Sequence, residues 1–366
     1  MRIITLSLLL CGLVIPSFGV RPPLKGYTYA SEQAPTGKEW QSPENLALNK
    51  EQPHAWFFPF QDIKSARKVL PENSIYWQSL NGNWKFNWAA DPDSRPKDFY
   101  KTDFDVTAWD NIPVPSSWNI YGIQQDGSLK YGVPIYVNQP VIFMHSVKVD
   151  DWRGGVMRTP PTNWTTYKYR NEVGSFRREF EIPEHWDGRE VFISFDGVDS
   201  FFYLWINGMY VGFSKNSRNT ANFNITNYLR SGKNIVAAEV YRNSDGSFLE
   251  AQDMFRLPGI FRTVALYSTP KVQIRDLVAT PDLDNNYTDG SLTIQADIRN
   301  FGKKTAKGYK VCYSLYANKL YSDENEPVIL ATDTKGAAIR NCVVAQVEPI
   351  TTGNTQEAEK VVLKVK

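Results

Sequence analysis

The chain has 366 residues, with 42% hydrophobic residues, 22% charged residues and a formal net charge of +2. This length allows about two domains, and the composition is typical of a globular protein. The small net charge creates no strong field that would attract nucleic acid or an anionic membrane surface, so we predict neither partner.

Aromatic residues are abundant, at 14% of the chain, with 11 Trp, 19 Tyr and 20 Phe. Two explanations are open. The first is a β-rich fold, because aromatic side chains suit the half-buried surface of a pleated sheet. The second is sugar binding, in which aromatic faces pack on the apolar C–H faces of pyranose rings. Composition alone favours the first explanation.

Residues 1–19 have the features of a secretory signal peptide. Arg2 precedes an apolar run over residues 3–15, which is too short to span a membrane, and small residues at 17 and 19 predict cleavage after Gly19. Lipoprotein processing at Cys11 is disfavoured, because Leu residues precede it where a small residue is expected. We therefore expect an exported protein, periplasmic or secreted, without a membrane span.

Residues 20–73 are polar, Pro-rich and irregular, and we interpret them as an arm that lies over a following domain. Strand patterns then run from 74 to 270, at the short, regular spacing of a sandwich or jelly roll. Asn81-Gly82, between alternating aromatics, predicts a β-hairpin, and further turns are predicted at Asp196-Gly197 and Asn207-Gly208. Helical periodicity is nearly absent, apart from one short turn that Asn224 could cap.

Residues 271–366 differ in composition from the preceding region: they contain few Trp and show strand-like alternation of apolar and polar residues. This pattern predicts a smaller immunoglobulin-like sandwich. The predicted fold is thus all-β, a jelly-roll sandwich followed by an immunoglobulin-like β-sandwich. Cys312 and Cys342 both lie in this second part, and export permits a disulfide between them, although two free thiols remain an equal alternative. Sequons at Asn163, Asn224 and Asn286 matter only in a host that glycosylates exported proteins.

Motif searches find no nucleophile elbow, no phosphate-binding loop and no metalloprotease motif. The three histidines, His54, His145 and His185, are far apart, and no Cys–His metal pattern occurs. Glu250 and Asp253 are only three positions apart, and this spacing specifies neither geometry of a glycosidase carboxylate pair. From the residues alone, the chain is an exported β protein with aromatic surfaces and an acidic loop.

Several blocks of the sequence resemble the amino-terminal part of the large bacterial β-galactosidases of glycoside hydrolase family 2. They occur in the family's order over about 39–270. They are "EWQSPENLALNKEQPHAWFFPF" (39–60), "LNGNWKF" (80–86), "VPSSWNIYG" (114–122), "YGVPIYVNQPV" (131–141), "GSFRREFEIP" (174–183), "SFFYLWINGMYVGFSKNSRNTANFNIT" (200–226) and "SDGSFLEAQDMFRLPGIFR" (244–262). The "YVNQP" and "QDMFR" blocks together distinguish this group from the family's β-glucuronidases and β-mannosidases.

The resemblance implies a retaining mechanism, in which one Glu protonates the glycosidic oxygen and another attacks the anomeric carbon. In the family both glutamates and the ligands of the catalytic Mg²⁺ lie on a TIM barrel, and we expect this chain to stop before it. We therefore expect no catalytic residue here, and no autonomous hydrolysis by this chain. The expected partners are a β-galactoside or another glycan and the missing barrel, in cis or as a complementing fragment, with a homo-oligomer also open.

Two residues inherit a role from the resemblance. Asn138, in "YVNQP", matches a residue that hydrogen-bonds the sugar, and Asp253, in "QDMFR", matches a residue that binds Na⁺ and lies near a galactose hydroxyl. A structural explanation stays open for each, a turn cap for Asn138 and an ion pair with Arg256 or Arg262 for Asp253. Glu250 is interpreted as structural, pairing with Arg262.

The loop also departs from the family form, since Ala251 and Phe255 replace an Asp and a Trp that are common there. Neither change replaces the proposed ligand, but both bear on sugar preference. Two other function classes are therefore kept, a non-catalytic carbohydrate-binding module and a family 2 hydrolase for another sugar. The sequence does not determine linkage, aglycone or oligomeric state.

Overall fold

The computed structural model describes residues 34–137, 171–250, 253–315, 339–350 and 359–365. Strands account for most of the regular structure in these ranges. In chain order they are β1 (Ala47–Leu48), β2 (Trp77–Ser79), β3 (Gly82–Ala89), β4 (Asp110–Val114), β5 (Ile135–Val137), β6 (Val173–Glu181), β7 (Glu190–Phe195), β8 (Val198–Asp199), β9 (Phe201–Ile206), β10 (Met209–Ser214), β11 (Ala221–Asn224), β12 (Lys233–Tyr241), β13 (Met254–Arg256), β14 (Gly259–Ile260), β15 (Val264–Thr269), β16 (Val272–Leu283), β17 (Gly290–Asn300), β18 (Ala306–Leu315), β19 (Ile339–Val347) and β20 (Glu359–Val365).

Helical structure in the described ranges is limited to single turns. The α-helices are α1 (Ile63–Ala66), α2 (Trp118–Tyr121) and α3 (Ser247–Glu250), and the 3-10 helices are Glu39–Gln41, Pro71–Asn73, Glu184–Trp186 and Thr226–Tyr228. No helix among the described residues combines the length and the hydropathy that crossing a bilayer requires. The predicted all-β class is confirmed.

Two antiparallel sheets form the first sandwich. The larger has seven strands in the order β1-β10-β9-β12-β6-β3-β4, and the smaller has four in the order β11-β7-β15-β2. Their facing side chains form one core that includes Trp84, Phe176 and Leu204 from the larger sheet and Ile193 and Leu266 from the smaller. Non-sequential strand order in both sheets agrees with the predicted jelly roll.

Strand β9 is apolar on both faces, and this explains much of the aromatic content. Phe202, Leu204 and Ile206 enter the core between the sheets, whereas the alternate residues, Phe201, Tyr203 and Trp205, enter a second cluster on the outer face. Trp40 and Phe99, from segments that cover that face, complete the second cluster. Because successive side chains of a strand point to opposite faces, a strand covered on both sides has no polar alternation.

The predicted hairpin at Asn81-Gly82 is wrong. Strand β2 pairs with β15 in the smaller sheet, while β3 pairs with β4 and β6 in the larger one. The chain crosses from the smaller to the larger sheet here, and Asn81 forms hydrogen bonds with residues distant in sequence. Its Oδ1 accepts from the Val264 amide at 3.0 Å, and its carbonyl accepts from Arg178 at 2.8 Å. Long-range hydrogen bonds thus replace the local turn.

Two other turn predictions are confirmed. Asn207 and Gly208 both have positive φ, 53° and 82°, as the tight connection between β9 and β10 requires, and Ile206 pairs with Met209 across it. The short helical turn begins at Thr226, whose backbone amide donates to Asn224 Oδ1 at 3.0 Å.

The second sandwich combines the sheet β16-β17-β20 with the pair β18-β19. Its described core is small: Ala296, Ile298, Ala306, Ala345 and Val347. This arrangement agrees with the immunoglobulin-like prediction, while the predicted domain limits remain predictions.

Of the two alternatives for the cysteines of this sandwich, the free thiol is excluded for Cys312. Cys312 is disulfide-bonded, and the register of β18 and β19 places it directly opposite Cys342.

Candidate functional site

The candidate site lies on a short antiparallel ladder formed by β5 and β13, outside the main sheets. Tyr136 is opposite Phe255, with Ile135 opposite Arg256 and Val137 opposite Met254. The Tyr136 and Phe255 rings lie 5.2 Å apart and remain 52% and 59% exposed, which is unusual for two large aromatic side chains. The ladder therefore presents an aromatic surface to the outside.

Asp253 immediately precedes β13 and is exposed beside this aromatic pair. Its Oδ1 accepts a hydrogen bond from the Tyr136 hydroxyl, and this bond raises the pKa of Tyr136 because it favours the protonated phenol. An ionised carboxylate has about four acceptor positions, so one phenol leaves capacity for a cation or for ligand hydroxyls. The structure thus pairs Asp253 with a tyrosine of the "YVNQP" block.

A buried ion pair between Arg242 and Glu172 supports the ladder. Arg242 Nη1 lies 2.7 Å from Glu172 Oε1, and both side chains are almost completely buried. The other end of the guanidinium donates to the carbonyl of Val133 at 2.8 Å and to that of Arg256 at 3.5 Å. One arginine therefore anchors the segment that leads into β5 and the last residue of β13.

Glu172 has two further donors within its pocket. Trp118 Nε1 lies 3.3 Å and Asn119 Nδ2 3.5 Å from Glu172 Oε2. Burial raises the pKa of Glu172, and the charge of Arg242 together with these donors acts in the opposite direction. Because a buried charge is tolerated only when it is paired and hydrogen-bonded, this network requires a defined arrangement of all four side chains.

Close backbone packing fixes the segments that flank the ladder. Gly132 has φ of +76°, and a Cβ at this position would lie 2.4 Å from Glu172 Oε1. Gly259 has φ of +132°, and its Cβ would lie 2.7 Å from the carbonyl oxygen of Ser116. Only glycine adopts these conformations at such distances without strain.

A second polar network positions α3, which precedes Asp253. The Ser217 amide and hydroxyl donate to the two oxygens of Glu250 at 2.9 and 2.5 Å, and the same hydroxyl lies 3.2 Å from Asp199 Oδ1. Burial raises the pKa of Asp199 to about 6, although Arg218, 3.3 Å from its other oxygen, acts against this shift. A hydroxyl has a single proton, so the two carboxylates compete for it.

Comparison with known proteins now identifies the family. The model of the family described as "Glycosyl hydrolases family 2, sugar binding domain" matches residues 77–270, more than half of the chain. The chain belongs to glycoside hydrolase family 2. The resemblance seen in the sequence blocks is thereby confirmed.

Several family 2 relatives match at the sequence level. A β-galactosidase of Priestia megaterium is 42% identical over 264 residues, which cover 72% of this chain and 24% of that protein. The β-galactosidase large subunit of Lactobacillus helveticus is 32% identical over 296 residues, covering 78% of this chain and 44% of the subunit. The chain thus spans about a quarter to under half of the length of these relatives.

Solved family 2 structures share the fold. A β-glucuronidase from Bacteroides uniformis superimposes with a TM-score of 0.52 at 16% identity, covering 79% of this chain and 27% of that one. A family 2 member from Bacteroides cellulosilyticus gives a TM-score of 0.51 at 16% identity, with 79% and 31% covered. At this level of identity the likeness concerns the fold alone.

Of the two site residues predicted from the family 2 resemblance, the structure describes only Asp253. Asp253 lies exposed at the edge of the ladder, and Asn138 lies outside the described residues, directly after β5. Glu250, which the sequence suggested would pair with Arg262, accepts instead from Ser217, whereas Arg262 donates to the Arg218 carbonyl at 2.9 Å.

Sequence reasoning missed Tyr136 and the Glu172–Arg242 pair. Tyr136 could have been found, because it stands two positions before Asn138 in the same family 2 block. No local signal marks Glu172 and Arg242, which are 70 positions apart and meet only through the pairing of neighbouring strands.

Proposed function

We propose that this chain supplies the amino-terminal part of an exported β-galactosidase, where it forms one wall of the sugar site. The identity of 42% to the Priestia megaterium β-galactosidase supports galactose as the sugar. The proposal assigns the catalytic glutamates and the Mg²⁺ ligands to the part of the relatives that this chain does not span. The retaining mechanism follows from the same assignment.

One observation carries the proposed role of the ladder. Asp253, the residue for which the family resemblance implies a sodium and galactose contact, is an exposed carboxylate beside the ladder that Arg242 supports. Carboxylate oxygen is a hard ligand that suits Na⁺ and a strong acceptor for sugar hydroxyls. Among the described residues, no group of three or more His, Cys, Asp or Glu side chains is placed to hold a metal ion, and we propose that Asp253 provides only part of a cation site.

Asn138 completes the proposed wall. It follows Val137, whose backbone pairs with Met254 directly beside Asp253. An amide provides both a donor and an acceptor, which a hydroxyl-rich ligand requires.

A chimera tests this proposal. Residues 39–270 would replace the matching region of the Priestia megaterium β-galactosidase, and the product would be assayed on nitrophenyl β-galactoside over a range of Na⁺ concentrations. We expect turnover in the chimera and none from the isolated 366-residue chain. Asp253→Asn should then lower turnover by about tenfold at low Na⁺, the loss expected for one charged contact.

Asp126→Asn is the matched control, because Asp126 is also an exposed aspartate but lies outside both blocks, in a turn where its carboxylate accepts from the Ser128 amide at 2.9 Å. It should leave the sodium response unchanged. An active chimera in which Asp253→Asn has the sodium response of the control would remove Asp253 from the site. Preference of the chimera for a glucuronide would overturn the choice of sugar.

Export is the remaining part of the proposal. Residues 1–19, which lie outside the described ranges, have the signal-peptide pattern, and the disulfide of Cys312 is typical of proteins that fold in an oxidising compartment. Mass spectrometry of the protein recovered from its producing cells should find a mature N-terminus at Val20.

A further inference from the structure

Among the described residues, the Tyr136 hydroxyl is the one hydrogen-bond donor to the carboxylate of Asp253. The bond joins residues 117 positions apart in the sequence. Arg256 and Arg262, the two ion-pair partners that the sequence suggested for Asp253, donate to backbone carbonyls elsewhere. The orientation of the carboxylate therefore depends on the phenol.

The register of β5 and β13 explains how the phenol reaches Asp253. Tyr136 is opposite Phe255, and Asp253 stands two positions before Phe255. Residues two apart along a strand share a face, and a long aromatic side chain reaches its diagonal neighbour across an antiparallel pair. The Tyr136 ring also lies 5.2 Å from the Phe255 ring, with an interplanar angle of 54°. The register and the ring contact thus place the hydroxyl beside the carboxylate.

Both partners of this hydrogen bond are accessible to solvent. Asp253 is exposed, and Tyr136 is 52% exposed. Because water competes for both groups, the bond contributes little to the stability of the fold. Its main effect is on the side chain of Asp253, which it holds in one orientation. A ligand group that is ordered before binding lowers the entropic cost of association.

The bond also makes the two oxygens of Asp253 unequal. Oδ1 accepts from Tyr136, whereas Oδ2 accepts from no donor in the part of the chain that the structure describes. An ionised carboxylate has about four acceptor positions, so Oδ2 keeps its full capacity. Oδ2 is therefore the oxygen that this arrangement offers to a cation or to a sugar hydroxyl.

We propose that Tyr136 is a positioning residue of the candidate site: its phenol holds Asp253 in the orientation that presents Oδ2 to the ligand. This inference rests on the proposed function for the identity of the ligand, Na⁺ together with a galactose hydroxyl. It adds a residue that acts through Asp253 rather than by direct contact with the ligand.

NMR of the 366-residue chain with isotope-labelled aspartate tests the positioning itself. Couplings to the carboxylate carbon report whether the Asp253 side chain occupies one χ1 rotamer or several. We expect one rotamer in the wild-type chain and averaged couplings in Tyr136→Phe, which removes the hydroxyl and keeps the ring beside Phe255. Averaged couplings in the wild-type chain, or a single rotamer in Tyr136→Phe, would overturn the proposal.

Tyr100→Phe is the matched control. The Tyr100 hydroxyl also donates to an aspartate, Asp98, at 3.3 Å, and its ring stacks on Trp205 rather than on the ladder. Tyr100→Phe should leave the couplings of Asp253 unchanged. A change equal to that in Tyr136→Phe would show that the effect does not come from the phenol beside Asp253.

The chimera with the Priestia megaterium β-galactosidase tests the consequence for the ligand. Sodium binding would be followed by NMR relaxation of the sodium nucleus, which requires no turnover. Tyr136→Phe should weaken Na⁺ binding by about fivefold, the effect of one hydrogen bond, and leave the turnover number at saturating Na⁺ unchanged. A residue that only stabilised the fold would not separate these two quantities, and Tyr100→Phe should alter neither.

The outcomes in the chimera separate this inference from the proposed function. If Asp253→Asn weakens Na⁺ binding and Tyr136→Phe does not, the site stands and the positioning role is wrong. If Asp253→Asn leaves Na⁺ binding unchanged, the proposed role of Asp253 is wrong, and the positioning role of Tyr136 is wrong with it.

Discussion

At the scale of single residues, the surroundings of each ionisable side chain determine its role. Asp253 and Asp199 are both aspartates, yet one is exposed beside a phenol and the other is buried beside Ser217. Solvation keeps the first available to a ligand, and burial makes the second a structural group whose pKa is raised.

The hydrogen bond between Tyr136 and Asp253 predicts a shift in a tyrosine titration. Because the carboxylate raises the pKa of Tyr136, Asp253→Asn should lower that pKa toward its ordinary value. NMR of ring-labelled tyrosine would follow the change. Tyr131 is the internal control: burial and a hydrogen bond to Asp110 raise its pKa to about 12, and this value should not move. A Tyr136 pKa that stays raised in the variant would contradict the contact.

Asp199 predicts a pH dependence of stability. Its pKa is raised in the folded protein from 3.8 to about 6, so its protonated form stabilises the fold. This contribution is fully present below about pH 4 and is lost as the pH rises through about 6. At 1.36 kcal/mol per pKa unit it amounts to at most about 3 kcal/mol.

Asp199→Asn should remove this fall in the free energy of unfolding between about pH 4 and pH 6, as measured by urea denaturation. Asp126→Asn is the control, because hydrogen bonds from Ser128 lower rather than raise the pKa of Asp126. The same fall in both variants would show that Asp199 is not its source.

At the scale of elements, long-range partners override local turn signals. Asn81-Gly82 and Asn207-Gly208 are the same dipeptide, but only the second connects the two strands of a hairpin. The difference lies in Asn81, whose side chain and carbonyl bond to residues 183 and 97 positions away. A dipeptide predicts a backbone conformation, and it does not specify which strands will pair across it.

The ladder provides a test of close packing at Gly132. Gly132→Ala combines a strained φ with a Cβ 2.4 Å from the buried Glu172 carboxylate, so it should lower the free energy of unfolding by about 3 kcal/mol or more. Gly127 is the matched control, since its φ of +81° is similar and its Cβ would meet nothing within 4 Å. Gly127→Ala should cost only the backbone strain, about 1 kcal/mol. If both variants lost the same free energy of unfolding in urea denaturation, the contact between the new Cβ and Glu172 would contribute nothing to the loss.

At the scale of the whole molecule, the arm connects the two sandwiches. Ala55 donates its amide to Asp276 at 2.8 Å, and Glu51 forms a buried ion pair with Arg299 of β17. Phe301, which directly follows β17, packs in the core of the first sandwich. The arm, the jelly roll and the second sandwich therefore meet at one interface.

The Glu51–Arg299 pair predicts that this interface contributes to stability. Glu51→Gln removes the charge that faces a buried arginine, and it should lower the free energy of unfolding by about 3 kcal/mol. The exposed pair of Lys233 and Glu179, with side chains 73% and 63% exposed, is the control. Glu179→Gln should change stability by less than about 1 kcal/mol. Calorimetric unfolding that gives the two variants the same transition temperature would contradict this.

The sequence by itself determined the all-β class, the succession of the two sandwiches and the family, whereas the role of Asp253 stays a prediction. These features depend on short-range patterns, namely the alternation of apolar and polar residues, turn residues and blocks that resemble the family. The hairpin between β9 and β10 belongs to the same class, because both of its strands are adjacent in sequence.

Only the tertiary structure decided the path at Asn81, the pairing of Tyr136 with Asp253 and the support of the ladder by Glu172 and Arg242. Each depends on residues 70 to 183 positions apart that meet through sheet order. Burial is likewise a property of the assembled fold, so the raised pKa of Asp199 has no counterpart in the local sequence.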